Sequence, residues 1–452
     1  MRVFLLLIGW CLMTSNAAAA VDVQVVQSPG GITAWLSQDH TVPVISMQFA
    51  FRGGTVLDGD AQAGLANLVA STLDEGAGNL RAAAFHEALE DQSIYLSYSA
   101  SRDELRGSVK TLTANAEDAW RLLTLSLVRP RFDAKEVERV KEQIISDITH
   151  SYSDPKWAAM RSMNDIIYAG HPYHNPGQGY VHTVKKIMPD DLRAWTRARM
   201  ARDQLVVAVS GDITPTDLAE LLDKVFGQLP PTAEQQPLSP VVLQGGGKDF
   251  VVERDLPQTR LLMVQPLLPR NDPDWYAAAI MNYTLGGGGF NSRLMLEVRE
   301  KRGLTYGVDT QMLHYNHANV MMVSAATANS TAAEAVALIK SEWARMRDDG
   351  ITVDELKDAQ TYLTGALPLA LTSTDQIASF LLQVQLQGLG KDYVGQRNDL
   401  FWAVTVEDVA RVAKKWLRPE AMTLVAVGAP DDLASAVKIV DPAKTGLQND
   451  QP

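Results

Sequence analysis

The sequence predicts an α+β fold made of two homologous αβ units, each a mixed or antiparallel sheet backed by helices. Three observations lead there. The chain repeats itself: Pro189-Asp190-Asp191-Leu192 and Val406-Glu407-Asp408-Val409 each open a helical pattern, and each pattern runs into a short apolar strand ending in glycine, Leu205 to Gly211 and Thr423 to Gly428. Both Asp191/Asp408 and Gly211/Gly428 are 217 positions apart, an ungapped offset expected of two copies of one unit. The length agrees, because 452 residues less a 20-residue leader leave 432, close to twice the offset. Strand and helix patterns are interspersed, with hairpin-like strand pairs, which is the α+β arrangement.

The elements follow in order. Residues 1–20 hold one basic residue, Arg2, then an apolar run from Val3 to Met13 and the small residues Ala17 to Ala20. This is the layout of a secretory signal peptide, with cleavage expected after Ala20. The run is too short for a membrane span, which needs roughly 20 residues. Trp10 precedes Cys11 where a lipoprotein signal wants a small residue, so lipidation is not expected, and the Ala-rich cleavage region sets the expectation of export to a bacterial periplasm. Residues 21–229 form the first unit. Val44 to Phe51 alternates as a strand with Ile45, Met47, Phe49 and Phe51 on one face, and Gly53-Gly54 breaks it. Gly64 to Leu73 reads as a helix, and Ile94–Ala100 and Glu104–Thr111 read as strands. Ala116–Leu127 and Ala134–His150 read as helices, the second with Glu136 and Glu138 in its first turns. Residues 230–247, rich in Pro, Gln and Gly, read as a linker. The second unit, 248–440, shows strands at Arg260–Pro266, Thr305–Leu313 and Val320–Ala325. Its helices are expected at Asp274–Leu285, Ser292–Lys301, Ala332–Asp348 and Val353–Ala366, with Gly303 as a left-handed cap. Residues 441–452 read as a tail.

Composition excludes several functions. Hydrophobic residues make up 46% and charged residues 21%, as in a globular chain. With 53 acidic against 41 basic residues the chain lacks the basic footprint of a nucleic-acid binder. Its single cysteine, Cys11, excludes an intramolecular disulfide and a thiolate zinc cluster. Loss of the leader removes that thiol and Arg2, taking the formal charge from −12 to −13. The eight histidines fall in no strong metal pattern. His86-Glu87 opens like a zinc helix but lacks the second imidazole. His171-Pro172-Tyr173-His174 contains a proline and suits loop packing, and His314-Tyr315-Asn316-His317 suits a turn between strands. Gly286 to Gly289 lacks the Lys-Ser/Thr of a phosphate loop, and no nucleophile elbow or dinucleotide fingerprint occurs.

The stretch Gly286-Gly287-Gly288-Gly289-Phe290-Asn291-Ser292-Arg293-Leu294, followed by Glu297-Val298-Arg299-Glu300-Lys301-Arg302-Gly303-Leu304-Thr305-Tyr306-Gly307-Val308, resembles the pitrilysin/insulinase family of zinc peptidases. Arg52-Gly53-Gly54 with Gly64-Leu65-Ala66, and Phe132 to Pro155, resemble its amino-terminal unit. The resemblance implies tandem αβ units enclosing a peptide chamber, with short members pairing. It also implies a zinc helix H-x-x-E-H, in which two imidazoles ligate zinc and the glutamate is the general base. The matching positions here are Asn67, Ala70 and Ser71, and the third ligand falls near Asp147. None of the first three can do this chemistry, so this chain is expected to hold no metal and need no cofactor of its own. A site rebuilt from Glu142 or His150 beside Asp147 is the rival reading. The family's Arg-x6-Tyr pair is present as Arg299 and Tyr306, which the resemblance implies orient the substrate and donate to an oxyanion. From residue types alone, Tyr306 could cap a strand and Arg299 pair with a surface acid. The expectation is therefore a zinc-less subunit of an exported heteromeric peptidase. It would supply Arg299 and Tyr306 to a partner chain carrying H-x-x-E-H and zinc, with oligopeptides as substrates. The alternative is a scaffold or binding protein with no peptidase role.

Overall fold

A computed structural model describes residues 22–234, 236–433 and 435–449; the expected signal peptide, with Cys11, lies outside the described residues. The strands form two six-stranded sheets and a two-stranded one of Gly76–Ala77 and Leu80–Arg81. Across the first, the order is Gln24–Gln27, Thr33–Gln38, Leu205–Gly211, Val44–Arg52, Glu104–Leu112, Tyr95–Ala100. Across the second it is Val437–Ile439, Asp249–Glu253, Thr423–Gly428, Gln258–Pro266, Asn319–Ala328, Thr305–His314. In both, the third strand pairs in parallel with the second and antiparallel with the fourth. The remaining pairs out to the far edge, Tyr95–Ala100 or Thr305–His314, are antiparallel. The sheets differ only at the first strand, antiparallel to its neighbour in one and parallel in the other.

The 217-residue repeat has a physical meaning. Asp191 and Asp408 occupy the same helical position, where the carboxylate accepts the N–H of the residue before the helix: Met188 at 2.8 Å and Thr405 at 3.1 Å. Gly211 and Gly428 end equivalent strands with φ of +128° and +152°. A Cβ at Gly211 would lie 2.1 Å from the Val44 carbonyl oxygen, and one at Gly428 2.8 Å from Thr259 Cα, so neither strand end accommodates a side chain.

Alternation in Val44–Arg52 divides two packing layers. Ile45, Met47, Phe49 and Phe51 are buried, and Phe49 meets Phe226 edge-on at 5.4 Å. The opposite face presents Ala50, which with Ala208 packs against Leu381 and Leu382 of the helix Thr374–Leu386. That helix belongs to the second half of the chain. The exchange is reciprocal: Ala158, Ala159, Met163 and Ile167 of the helix Pro155–Ile167 cover Leu262, Val264, Val425 and Val427 of the second sheet. Each sheet is thus closed on one face by a helix from the other half. Polar contacts fix the first docking, with Lys110 to Asp375 at 2.7 Å, Arg106 to Gln383 at 2.8 Å and Gln385 to the Val207 carbonyl at 3.0 Å.

Several elements differ from the sequence reading. The helix expected over Gly64 to Leu73 is the shorter Leu65–Ala70. Those expected over Asp274–Leu285 and Ser292–Lys301 widen into i+5 turns, closed by Gly288 N–H to the Tyr283 carbonyl at 2.8 Å and Lys301 N–H to the Leu296 carbonyl at 3.0 Å. The glycine run ahead of Ser292 supplies no side chains to hold a regular helix there. Residues 230–247 carry no helix or strand among the described residues, yet they are pinned by Val241 N–H to the His317 carbonyl at 2.9 Å and Gln244 N–H to the Ile167 carbonyl at 3.1 Å. Residues 441–452 include the helix Pro442–Asn449, preceded by a part-buried Asp441–Arg254 ion pair at 2.7 Å.

Candidate functional site

The helix Leu65–Ala70, matched above by resemblance to the family's zinc helix, is held from its amino end. Asp58 is buried, and its carboxylate accepts the N–H groups of Gly64 at 3.2 Å and Ala66 at 3.1 Å. Gly64 turns into the helix with φ of +97°, and a Cβ there would lie 2.5 Å from the Gln178 carbonyl oxygen. Burial pushes the Asp58 carboxyl up to about 7, against the opposing effect of those backbone donors. Leu65, Ala66, Leu68, Val69 and Ala70 are all buried, so the first core fixes the helix.

The three positions matched to the family's ligands carry no metal chemistry. Asn67 is half-buried on a cavity of about 320 Å³ that it shares with Arg102, Arg161 and Gln178. Ala70 offers a buried methyl and Ser71 a hydroxyl. Asp147 is exposed on the helix Ala134–Ser151 and accepts the Gln143 amide at 2.9 Å. Glu142 and His150 are exposed on the same helix. Among the described residues no group of three or more His, Cys, Asp or Glu side chains is placed to hold a metal ion.

The histidine clusters serve packing. His86 meets the Asp74 carbonyl at 3.0 Å. The loops carrying His171 and His317 meet between the halves, their rings 5.7 Å apart. Beside them the Tyr173 hydroxyl donates to the buried Asp103 carboxylate, whose other oxygen accepts the Asn316 N–H at 2.9 Å. Tyr173 in turn accepts the His317 N–H at 3.2 Å. Burial holds the His171 and His174 imidazoles below their usual range.

Arg299 and Tyr306 lie in the second half of the chain. Arg299 sits in the wide turn Met295–Glu300, with its guanidinium 4.6 Å from the Phe290 ring centroid. Its neighbours are neutralised: Lys301 and Arg302 pair with Glu297 at 2.7 and 2.8 Å, and Arg293 with Glu355 at 2.7 Å. No carboxylate among the described residues pairs with Arg299, so the surface ion pair open to it in the sequence does not form. Tyr306 is the second residue of the edge strand Thr305–His314, within a bulge, and is 86% exposed, with no side-chain partner among the described residues. The two do not bond each other.

Residues 186–363 match the family model for the peptidase M16 inactive domain. A crystal structure of a peptidase M16 inactive domain from Pseudomonas fluorescens superposes with a TM-score of 0.85 at 26% identity, covering 90% of this chain and 98% of that one. The chain carries an M16, insulinase/pitrilysin-type peptidase-like domain. Its two αβ units are those of the M16 architecture. Among curated proteins, it is 29% identical over 334 residues to the non-peptidase homolog YmxG of Helicobacter pylori, covering 74% of this chain and 77% of that protein. It is 24% identical over 408 residues to an uncharacterized zinc protease of Mycobacterium leprae, covering 89% and 91%. Complex III2 of Candida albicans shares the fold, with a TM-score of 0.76 at 17% identity.

Sequence reasoning missed Asp58, the Asp103–Tyr173 network and the exchanged helices. Only the helix at Pro155 left a trace, because Asp154 before it accepts the Lys156 N–H at 2.8 Å as a cap should.

Proposed function

We propose that this chain is a non-catalytic M16 protein that works by binding, as a scaffold or recognition unit. The observation that carries this is the residue set at the zinc helix: Asn67, Ala70 and Ser71 supply neither imidazole ligands nor a general base. Metal analysis and peptide hydrolysis on the purified chain test it. The expected result is no stoichiometric zinc and no turnover, and one tightly held zinc with peptide cleavage would overturn it.

A narrower reading within that one is supported by Arg299 and Tyr306, a cation without a carboxylate and a tyrosine 86% exposed. Here the chain is the zinc-less subunit of an exported, periplasmic heteromeric peptidase. It closes the chamber of a partner carrying H-x-x-E-H and presents both side chains to oligopeptides bound there. A correctly placed oxyanion donor contributes on the order of 3 kcal/mol. Arg299→Ala and Tyr306→Phe should therefore lower the turnover of a co-expressed H-x-x-E-H chain by about tenfold or more while leaving the stability of this chain within about 0.5 kcal/mol. Full turnover with both variants would leave scaffolding alone.

A further inference from the structure

The clearest unassigned chemistry lies between the halves, on a cavity whose walls include neither Asn67 nor Arg299, although Arg102 also lines the cavity of Asn67. A cavity of about 370 Å³ is walled by Arg52, Arg102 and Arg106 from the first half and Arg270 from the second. Its acidic wall residues are Asp103 and Glu104, so four guanidinium groups face two carboxylates and leave two positive charges. In a chain of formal charge −12 that is a local reversal of sign. The carboxylates are also committed. Glu104 is bonded to Arg106 through Nε at 3.0 Å, and Asp103 holds the Tyr173 hydroxyl and the Asn316 N–H.

Arg102 and Arg270 are held by aromatic faces instead of acids. Arg270 is buried, its guanidinium 3.6 Å from the Trp275 ring centroid, with one bond to the Tyr393 hydroxyl at 2.8 Å. Arg102 lies 4.8 Å from the Tyr315 ring and 5.4 Å from that of Tyr168, and its side chain makes no hydrogen bond to a described residue. Arg52 donates to the Leu386 carbonyl at 3.3 Å. Stacking occupies the face of a guanidinium and leaves its in-plane N–H fork available, which is the geometry that takes two oxygens of one anion. A half-buried fork with no protein acceptor, on the wall of a net-positive cavity, is a site prepared for an acceptor.

We propose that this cleft binds a small, multiply charged oxyanion of the phosphate class, held between Arg102 and Arg270 with Arg52 beside them. Because the arginines come from both halves, the bound anion also ties the halves together. The site uses none of Asn67, Ala70, Ser71, Arg299 and Tyr306, and it does not depend on the functional reading above.

The test uses the purified full chain at constant ionic strength. Inorganic phosphate, pyrophosphate, malonate and chloride are compared by thermal melting and titration calorimetry. Wild type should bind pyrophosphate or phosphate saturably, with a matching rise in melting temperature. Arg102→Gln removes one fork. Gln383→Glu puts a carboxylate on the cavity wall where its oxygen can still accept from Arg106 (2.8 Å in the native chain), so it keeps the fold's hydrogen bond while cancelling positive charge. Each variant should weaken binding by about tenfold or more, the loss expected for a charge-assisted hydrogen bond. If Arg102→Gln does not fold, Gln383→Glu decides alone. Absence of saturable phosphate or pyrophosphate binding, equal affinity in wild type and Gln383→Glu, or binding of malonate in preference to both phosphates would overturn the proposal.

Discussion

Asp58 gives the sharpest test of how the degenerate zinc helix is held. Its carboxyl is buried and accepts two backbone N–H groups, and burial raises its pKa from 3.8 to about 7. The native state therefore keeps a proton that the unfolded chain has released between about pH 4 and pH 7. Stability linked to this group is fully present below the unfolded value and is lost as pH rises through the folded one. A shift of about three units at about 1.4 kcal/mol each sets a ceiling near 4 kcal/mol, and relaxation around the charge reduces it to roughly 2–4 kcal/mol. Asp58→Asn keeps one acceptor oxygen for the helix end and cannot ionise. Its stability relative to wild type should move in its own favour by that amount between pH 4 and pH 8. Urea denaturation at pH steps on both proteins measures the difference, so titrations elsewhere cancel. Parallel pH profiles for the two proteins would refute the reasoning, because they would mean Asp58 ionises in the folded chain as easily as in water.

Three further outcomes follow from packing. Leu381→Ala, at a fully buried contact between the exchanged helix and the first sheet, should cost about 2–5 kcal/mol in denaturant unfolding. Tyr173→Phe leaves the Asp103 carboxylate short of a donor and the His317 N–H short of an acceptor, and should cost about 1–3 kcal/mol by the same measurement. Gly107→Ala would place a Cβ 2.0 Å from the Phe49 ring and should destabilise by about 1–3 kcal/mol, with part of the loss recovered in a Gly107→Ala/Phe49→Leu double mutant.

What could be read in the sequence was what local patterns encode. The buried face of Val44–Arg52 follows from its alternation, and the long helix Ala134–Ser151 from its apolar spacing and first-turn acids. The two-unit plan was legible because Asp191 and Asp408 are caps and Gly211 and Gly428 are strand ends that tolerate no other residue. Arg299, Tyr306 and the lost ligand positions came only through resemblance, since an exposed tyrosine and an alanine have no local signature of function. The exchanged helix is a different failure. Thr374–Leu386 looks like any amphipathic helix, and nothing in its own sequence says that its partner sheet lies in the other half. The Asp103–Asn316 contact joins residues 213 positions apart, beyond any periodicity argument. The phosphate-class cleft was invisible for the same reason, because its arginines are ordinary surface charges until the halves close.

The same packing explains how the zinc ligands can be absent while the fold persists. A structural metal contributes roughly 10–16 kcal/mol of folding free energy, and a chain relying on one unfolds without it. Here the helix that would carry the ligands is fixed by other means. Five of its six residues are buried in the first core, Asp58 satisfies its leading N–H groups, and Gly64 sets its entry angle. Asn67 and Ser71 lie outside that buried set, and the Ala70 methyl packs within it, so the three residues remove the metal chemistry while the helix stays held. The melting temperature should accordingly be unaffected, to within about 1 °C, by a strong chelator or by added zinc, with circular dichroism as the readout. A chelator-induced drop of several degrees would mean that a metal holds the fold after all. Insensitivity would mean that the scaffold outlasts its chemistry, so that the surfaces it still presents, Arg299, Tyr306 and the arginine cleft, are where function has to be sought.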